Sequence, residues 1–117
     1  MKHKIAVIQS PPVLLDREAT MARAVASVAA VAREGAELAV FPEAFLPGYP
    51  TWVWRLTPGA DMALAGEIHD RLRSNAIDVD GGGLAPLAEA AREHRITVVC
   101  GMSEVDQIGR ASCRERV

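Results

Sequence analysis

Two short β-rich runs, separated by one long alanine-rich segment, decide most of what this chain can fold into. The first, Lys4-Ile5-Ala6-Val7-Ile8-Gln9, is closed by Ser10-Pro11-Pro12, and the second spans Glu37 to Phe41. Between them Met21, Val25, Val28 and Ala32, with Ala24 and Val31, recur at the 3.6-residue period of a helix. Asp16 is placed to cap that helix and Gly35 to stop it. The first run reads as a buried strand. A strand, a helix and a second strand in this order imply parallel pairing and a right-handed crossover. In open sheets of this kind, sites lie beyond the carboxyl ends of the strands.

The stretch at that position is unusual. Phe41, Phe45, Tyr49, Trp52 and Trp54, all the aromatic residues of the chain, fall within FPEAFLPGYPTWVW, together with Pro42, Pro47, Gly48 and Pro50. Prolines fix φ and remove donors, so neither a helix nor a central strand continues past Phe41. One carboxylate, Glu43, opens this stiff loop. Two readings follow. A carboxylate held against aromatic walls is partly desolvated and suited to general-base work, whereas a glutamate on a proline-rich turn is ordinarily just exposed. The position beyond a strand end favours the first, with Glu43 at the carboxyl end of the Leu38–Phe41 strand and facing inward. The Pro47-Gly48-Tyr49-Pro50 turn is then expected to fold the aromatic segment back over the site. Trp52 and Trp54, two residues apart, point the same way if extended; they line a pocket or cover a core edge.

Further along, Asp61 is a candidate cap for a helix with Leu64, Ala65, Ile68 and Leu72 on one face. A polar connection ends in Gly81-Gly82-Gly83, which lacks the context of a phosphate loop and reads as a flexible helix entry. A third helix carries Leu84, Leu87, Ala88 and Ala91, tolerates Pro86 in its first turn, and closes on Arg92, His94 and Arg95. Ile96 to Cys100 is the third buried strand, and its thiol reads as a small hydrophobe. His3, His69 and His94 have no metal-ligand spacing and read as surface residues. Glu104 is either an exposed strand-end acid or a second carboxylate near Glu43.

A net charge of −2 without a basic patch argues against a nucleic-acid surface. No stretch approaches a membrane span, and the apolar run Ile5–Ile8 is too short for a signal peptide. Two distant cysteines form neither a disulfide framework nor a metal site, so a cytoplasmic location is expected. Residues 108–117, IGRASCRERV, lose the apolar periodicity and match the translation of a common sequencing adapter. They are expected to be a read-through scar that packs against nothing, leaving residues 1–107 as the native part.

FPEAFLPGYPTW resembles the first catalytic motif of the nitrilase (carbon–nitrogen hydrolase) superfamily, and PGYP with the following tryptophan resembles nitrilases more than amidases. The IAVIQ strand, the alanine-rich helix, LAVFPE and RITVVCGMSE extend the resemblance from Lys4 to Asp106. It implies the N-terminal part of an α-β-β-α sandwich, hence an α/β fold with an incomplete sheet. It also implies a Glu-Lys-Cys set working without a cofactor or metal. In that set the glutamate is the base that activates a cysteine thiol, the thiolate attacks the nitrile carbon, and the lysine stabilises the charge developing on nitrogen. Glu43 alone matches the set, with Tyr49, Trp52 and Trp54 as candidate substrate-binding residues. The lysine and cysteine are expected further on. Lys2 and Lys4 sit at the opposite strand end, and Cys100 precedes Gly-Met rather than an aromatic residue and a glutamate. The implied partner is a small nitrile, and the implied full-length form is a homo-oligomer. A cyanide-degrading enzyme, an aliphatic amidase and a non-catalytic α/β binding module are the alternatives.

Overall fold

The computed structural model describes residues 1–106 and 111–117. In chain order they form β1 (Ile5–Val7), α1 (Arg17–Arg33), β2 (Leu38–Val40), α2 (Met62–Ser74), α3 (Ala85–His94), β3 (Thr97–Val105) and β4 (Ala111–Arg116). A short 3₁₀ turn, Thr51–Trp54, precedes α2. One sheet holds the four strands in the order β1-β2-β3-β4. β1, β2 and β3 run parallel, with Ile5, Leu38 and Thr97 in register and Val7, Val40 and Val99 two residues on. The fold is α/β, as the strand–helix–strand pattern requires.

α1 begins where Asp16 Oδ1 accepts the Ala19 N–H at 2.9 Å, an N-cap that satisfies one of the free donors of the first turn. Fully buried Thr20 ties the preceding loop down: its hydroxyl donates to the Val13 carbonyl and accepts the Val13 N–H. Met21, Ala24 and Val28 of α1 then pack with Leu87 and Ala90 of α3 over Ala39, Val98, Cys100 and Met102. That layer is the core. α3 ends as Arg95 turns into the left-handed region at φ 53°.

The opposite sheet face carries Ile5, Val7, Leu38, Val40, Thr97 and Val99, because side chains alternate along each strand. Among the described residues nothing covers it fully. Ile5 is 57 % and Val7 71 % exposed, so β1 is a half-covered edge strand rather than the buried strand expected. An apolar run shows that a strand forms, but not how many of its faces find a partner. In α2, Leu72 is buried while Leu64 is exposed, which narrows the expected apolar stripe. The glycine-rich entry to α3 is held by Asp78, whose Oδ1 accepts the Gly81 N–H and whose carbonyl accepts the Gly83 N–H.

β3 runs past Cys100 to Val105. β4 returns along it antiparallel, from Val105 opposite Ala111 to Cys100 opposite Arg116. This corrects the expectation that residues 108–117 pack against nothing, for residues 111–116; residues 107–110 lie outside the described residues. An open strand edge presents unpaired N–H and C=O groups, and any extended backbone can satisfy them without an apolar pattern. Arg116 and Arg114 add side-chain anchors on Glu104.

Candidate active site

The site is built where β2 hands the chain to the loop. The Phe41 N–H donates to the Val99 carbonyl at 2.8 Å, continuing the parallel ladder. The loop rejoins β3 at Leu46, whose N–H donates to the Gly101 carbonyl and whose carbonyl accepts the Ser103 N–H. Between those anchors β3 advances from Val99 to Gly101 while the loop advances from Phe41 to Leu46. The surplus, Pro42 to Phe45, is therefore forced off the sheet as a bulge. Glu43 rides on that bulge.

Several features stiffen it. Ala44 takes a left-handed φ of 49°, and its carbonyl accepts the Gly48 N–H at 2.9 Å. Phe41 and Phe45 are buried beneath it with ring centroids 5.1 Å apart and planes tilted by 45°, a favourable aromatic geometry. The Pro47 carbonyl accepts the Leu15 N–H at 3.0 Å.

Glu43, Tyr49, Trp52, His69, Ser103 and Cys113 are among the walls of a cleft of about 370 Å³. The Pro47–Pro50 turn thus brings the aromatic segment back to Glu43. Trp52 and Trp54 part company, because Thr51–Trp54 is a 3₁₀ turn rather than an extended segment. Trp52 is half-buried in the cleft; Trp54 is 79 % exposed and lies outside it. Glu43 lies three residues past the end of β2 and is exposed, not turned inward as expected. The bulge lifts it clear of the sheet, and the described chain places no further layer over it.

Other candidates sort by chemistry. Lys4 donates to the Glu34 carbonyl at the far end of the parallel sheet, away from Glu43. Cys100 is buried, and desolvation pushes its thiol up to about 12, the behaviour of a core side chain rather than a nucleophile. Glu104 is buried, against the expectation of an exposed acid. Arg116 grips it with Nε and Nη2, while Arg114 Nε stands at 3.6 Å. The Arg116 hydrogen bond, partly opposed by burial and aided by both arginine charges, holds its carboxyl below the usual range. Desolvation, then the Glu43 charge, raises the Cys113 thiol, while a backbone hydrogen bond from Ala44 acts against them.

Two residues of this neighbourhood, Gly101 and Ser103, were given no role by the sequence reading, while His69, read as a surface residue, is exposed at the rim of the cleft. His69 stands one turn before buried Leu72 on α2. Gly101 and Ser103 alternate with the core-facing Cys100 and Met102, so strand periodicity assigns them to the loop side once β3 is known to run that far.

The carbon-nitrogen hydrolase family profile matches residues 4–114. The chain belongs to that family. It is 41 % identical over 103 residues to an aliphatic nitrilase of Rhodococcus rhodochrous, covering 88 % of this chain and 27 % of that enzyme. To an arylacetonitrilase of Aspergillus oryzae it is 37 % identical over 101 residues, covering 86 % and 28 %. To a cyanide hydratase of Stereum hirsutum it is 31 % identical over 105 residues, covering 90 % and 27 %. The chain thus spans little more than a quarter of the length of these relatives. The structure of the NitN amidase from Neterenkonia sp. AN1 superposes with a TM-score of 0.53 at 21 % identity, over 99 % of this chain and 44 % of that one. The likeness is one of fold: the sheet and helices described here correspond to less than half of that amidase chain.

Proposed function

We propose that this chain is the N-terminal part of a nitrilase that hydrolyses a small nitrile to a carboxylic acid and ammonia, with Glu43 as its general base. The observation that carries the reading is the placement of Glu43 on a rigid bulge past the end of β2, in one cleft with Tyr49 and Trp52. Sequence similarity to an aliphatic nitrilase and an arylacetonitrilase supports a nitrile as substrate. In the full-length protein Glu43 would take the proton of a cysteine thiol supplied by a later segment. The thiolate carbon–sulfur bond would form at the nitrile carbon as its nitrogen gains a proton. Glu43 would then deprotonate a first water that adds to the thioimidate carbon and expels ammonia, leaving a thioester, and a second water that displaces the sulfur as the carboxylic acid forms. A lysine from the same later part would stabilise charge on nitrogen, and no cofactor is needed. Tyr49 and Trp52 would form the apolar wall beside the substrate, with Trp54 contributing only if the complete fold turns it inward. The complete enzyme would be a cytoplasmic homo-oligomer. Residues 108–117 remain our proposed adapter scar, which resequencing of the gene across Asp106 checks.

The test is Glu43→Gln in the full-length enzyme, which keeps shape and hydrogen bonding but removes the base. Turnover should fall by about 10²–10⁴-fold with substrate binding retained. Near wild-type turnover would sink the assignment. The similarity to a cyanide hydratase supports a second reading, hydration of cyanide. Product analysis separates them: acid and ammonia from organic nitriles for the first, formamide from cyanide for the second.

A further inference from the structure

The Glu43 bulge has a floor, and that floor is one glycine. Gly101 is the residue of β3 at which the loop rejoins the strand, its carbonyl accepting the Leu46 N–H, and it is buried. A Cβ built there meets the Ala44 nitrogen at 2.6 Å, the Pro42 oxygen at 2.7 Å and the Glu43 Cα at 2.9 Å. All three are backbone atoms of the residues that carry the carboxylate. None is the end of a flexible side chain that can swing aside, so the loop itself must move. Gly101 has no positive φ, which leaves close approach, not backbone conformation, as the reason a glycine stands there.

We propose that Gly101 is a positioning residue for catalysis: its missing side chain sets the height of the Glu43 bulge above the sheet and thereby the reach of the base. This rests on the reading of Glu43 as general base. Ordinary van der Waals contact needs roughly 3.4–4 Å, so one methyl at this position lifts the bulge by on the order of 1 Å. Misplacement on that scale costs on the order of 10²-fold in rate. Other glycines supply the control: a Cβ at Gly66, within α2, meets nothing within 4 Å.

The experiment uses the full-length enzyme with phenylacetonitrile and butyronitrile as probes and ammonia release as the readout. Gly101→Ala should lower kcat about 10²-fold while KM stays within a few-fold. Gly66→Ala should leave both unchanged. The decisive arm is the double variant Gly101→Ala/Glu43→Gln. If Gly101 acts through Glu43, the double variant is no slower than Glu43→Gln alone. Multiplying losses would mean a general structural defect and overturn the inference. Wild-type kcat in Gly101→Ala would overturn it too, while Glu43→Gln at wild-type rate would instead remove the reading beneath it. Should Gly101→Ala fail to fold, Ala44→Gly is added to it. Ala44 sits at φ 49°, so glycine relaxes the loop and lets it rise. A folded Gly101→Ala/Ala44→Gly enzyme with the same kcat loss supports the proposal, and one with wild-type kcat refutes it.

Discussion

The two cysteines of this chain offer a direct measure of which thiols its fold can put to chemical use. Cys100 is 1 % exposed, and burial raises its thiol from the ordinary 9.0 to about 12. At pH 8, three units of depressed acidity cut its thiolate population about 1000-fold. The more basic thiolate is intrinsically more nucleophilic, and a Brønsted slope of about 0.4–0.5 returns roughly 15–30-fold. Ionisation alone therefore slows Cys100 by about 30–60-fold, and the need to open the core slows it further. The assay is exchange with dithiodipyridine at pH 8, followed by site-resolved peptide mass spectrometry, at low protein concentration. Exposed Cys113, whose thiol is also raised but which needs no opening of the core, should be modified first, with Cys100 lagging well behind it, and urea should abolish the difference. Comparable rates at the two sites in the folded chain would refute the burial argument and reopen Cys100 as a nucleophile. The same shift acts on stability. The folded state favours the protonated thiol, so its contribution is intact below pH 9 and is lost as pH rises from 9 towards 12.

Glu104 works in the opposite sense. Its carboxyl is held below the ordinary value of 4.5, chiefly by the Arg116 hydrogen bond, so its stabilisation is present above that value and lost as pH falls through the lowered one. Arg116→Ala should move acid unfolding of this chain to higher pH by circular dichroism, and superimposable transitions would count against the pairing. The half-covered sheet face should make the 117-residue chain associate as its concentration rises, with binding of a hydrophobic dye. Val7→Lys should reduce the association without loss of helix signal, since Val7 is already 71 % exposed. A monomer that melts cooperatively at high concentration would contradict this expectation.

Much of the framework was legible from local chemistry. Asp16, the apolar positions of α1 and the two flanking β-rich runs require a parallel strand–helix–strand unit, because cap, period and connection length each act over a few neighbouring residues. Pro42, Pro47 and Pro50 likewise end β2 and stiffen the loop wherever they occur, and FPEAFLPGYPTW is what singles out Glu43 as the candidate base. Buried Cys100 follows from an apolar strand alone.

What tertiary structure decided is everything that depends on a distant partner. Glu104 is a buried, arginine-held acid rather than an exposed one, because β4 comes back along β3 and delivers Arg116 to it. Ile5 and Val7 are exposed because, among the described residues, helices meet only one face of β1. Trp52 and Trp54 separate because hydrogen bonds within the loop close a 3₁₀ turn where an extended segment was equally consistent with the spacing. Gly101 becomes the floor under Glu43 only when residues 42–44 are laid across it. Periodicity reports which residues share a face of their own element. Which backbone that face will meet, and at what distance, is fixed by packing between segments far apart in the chain.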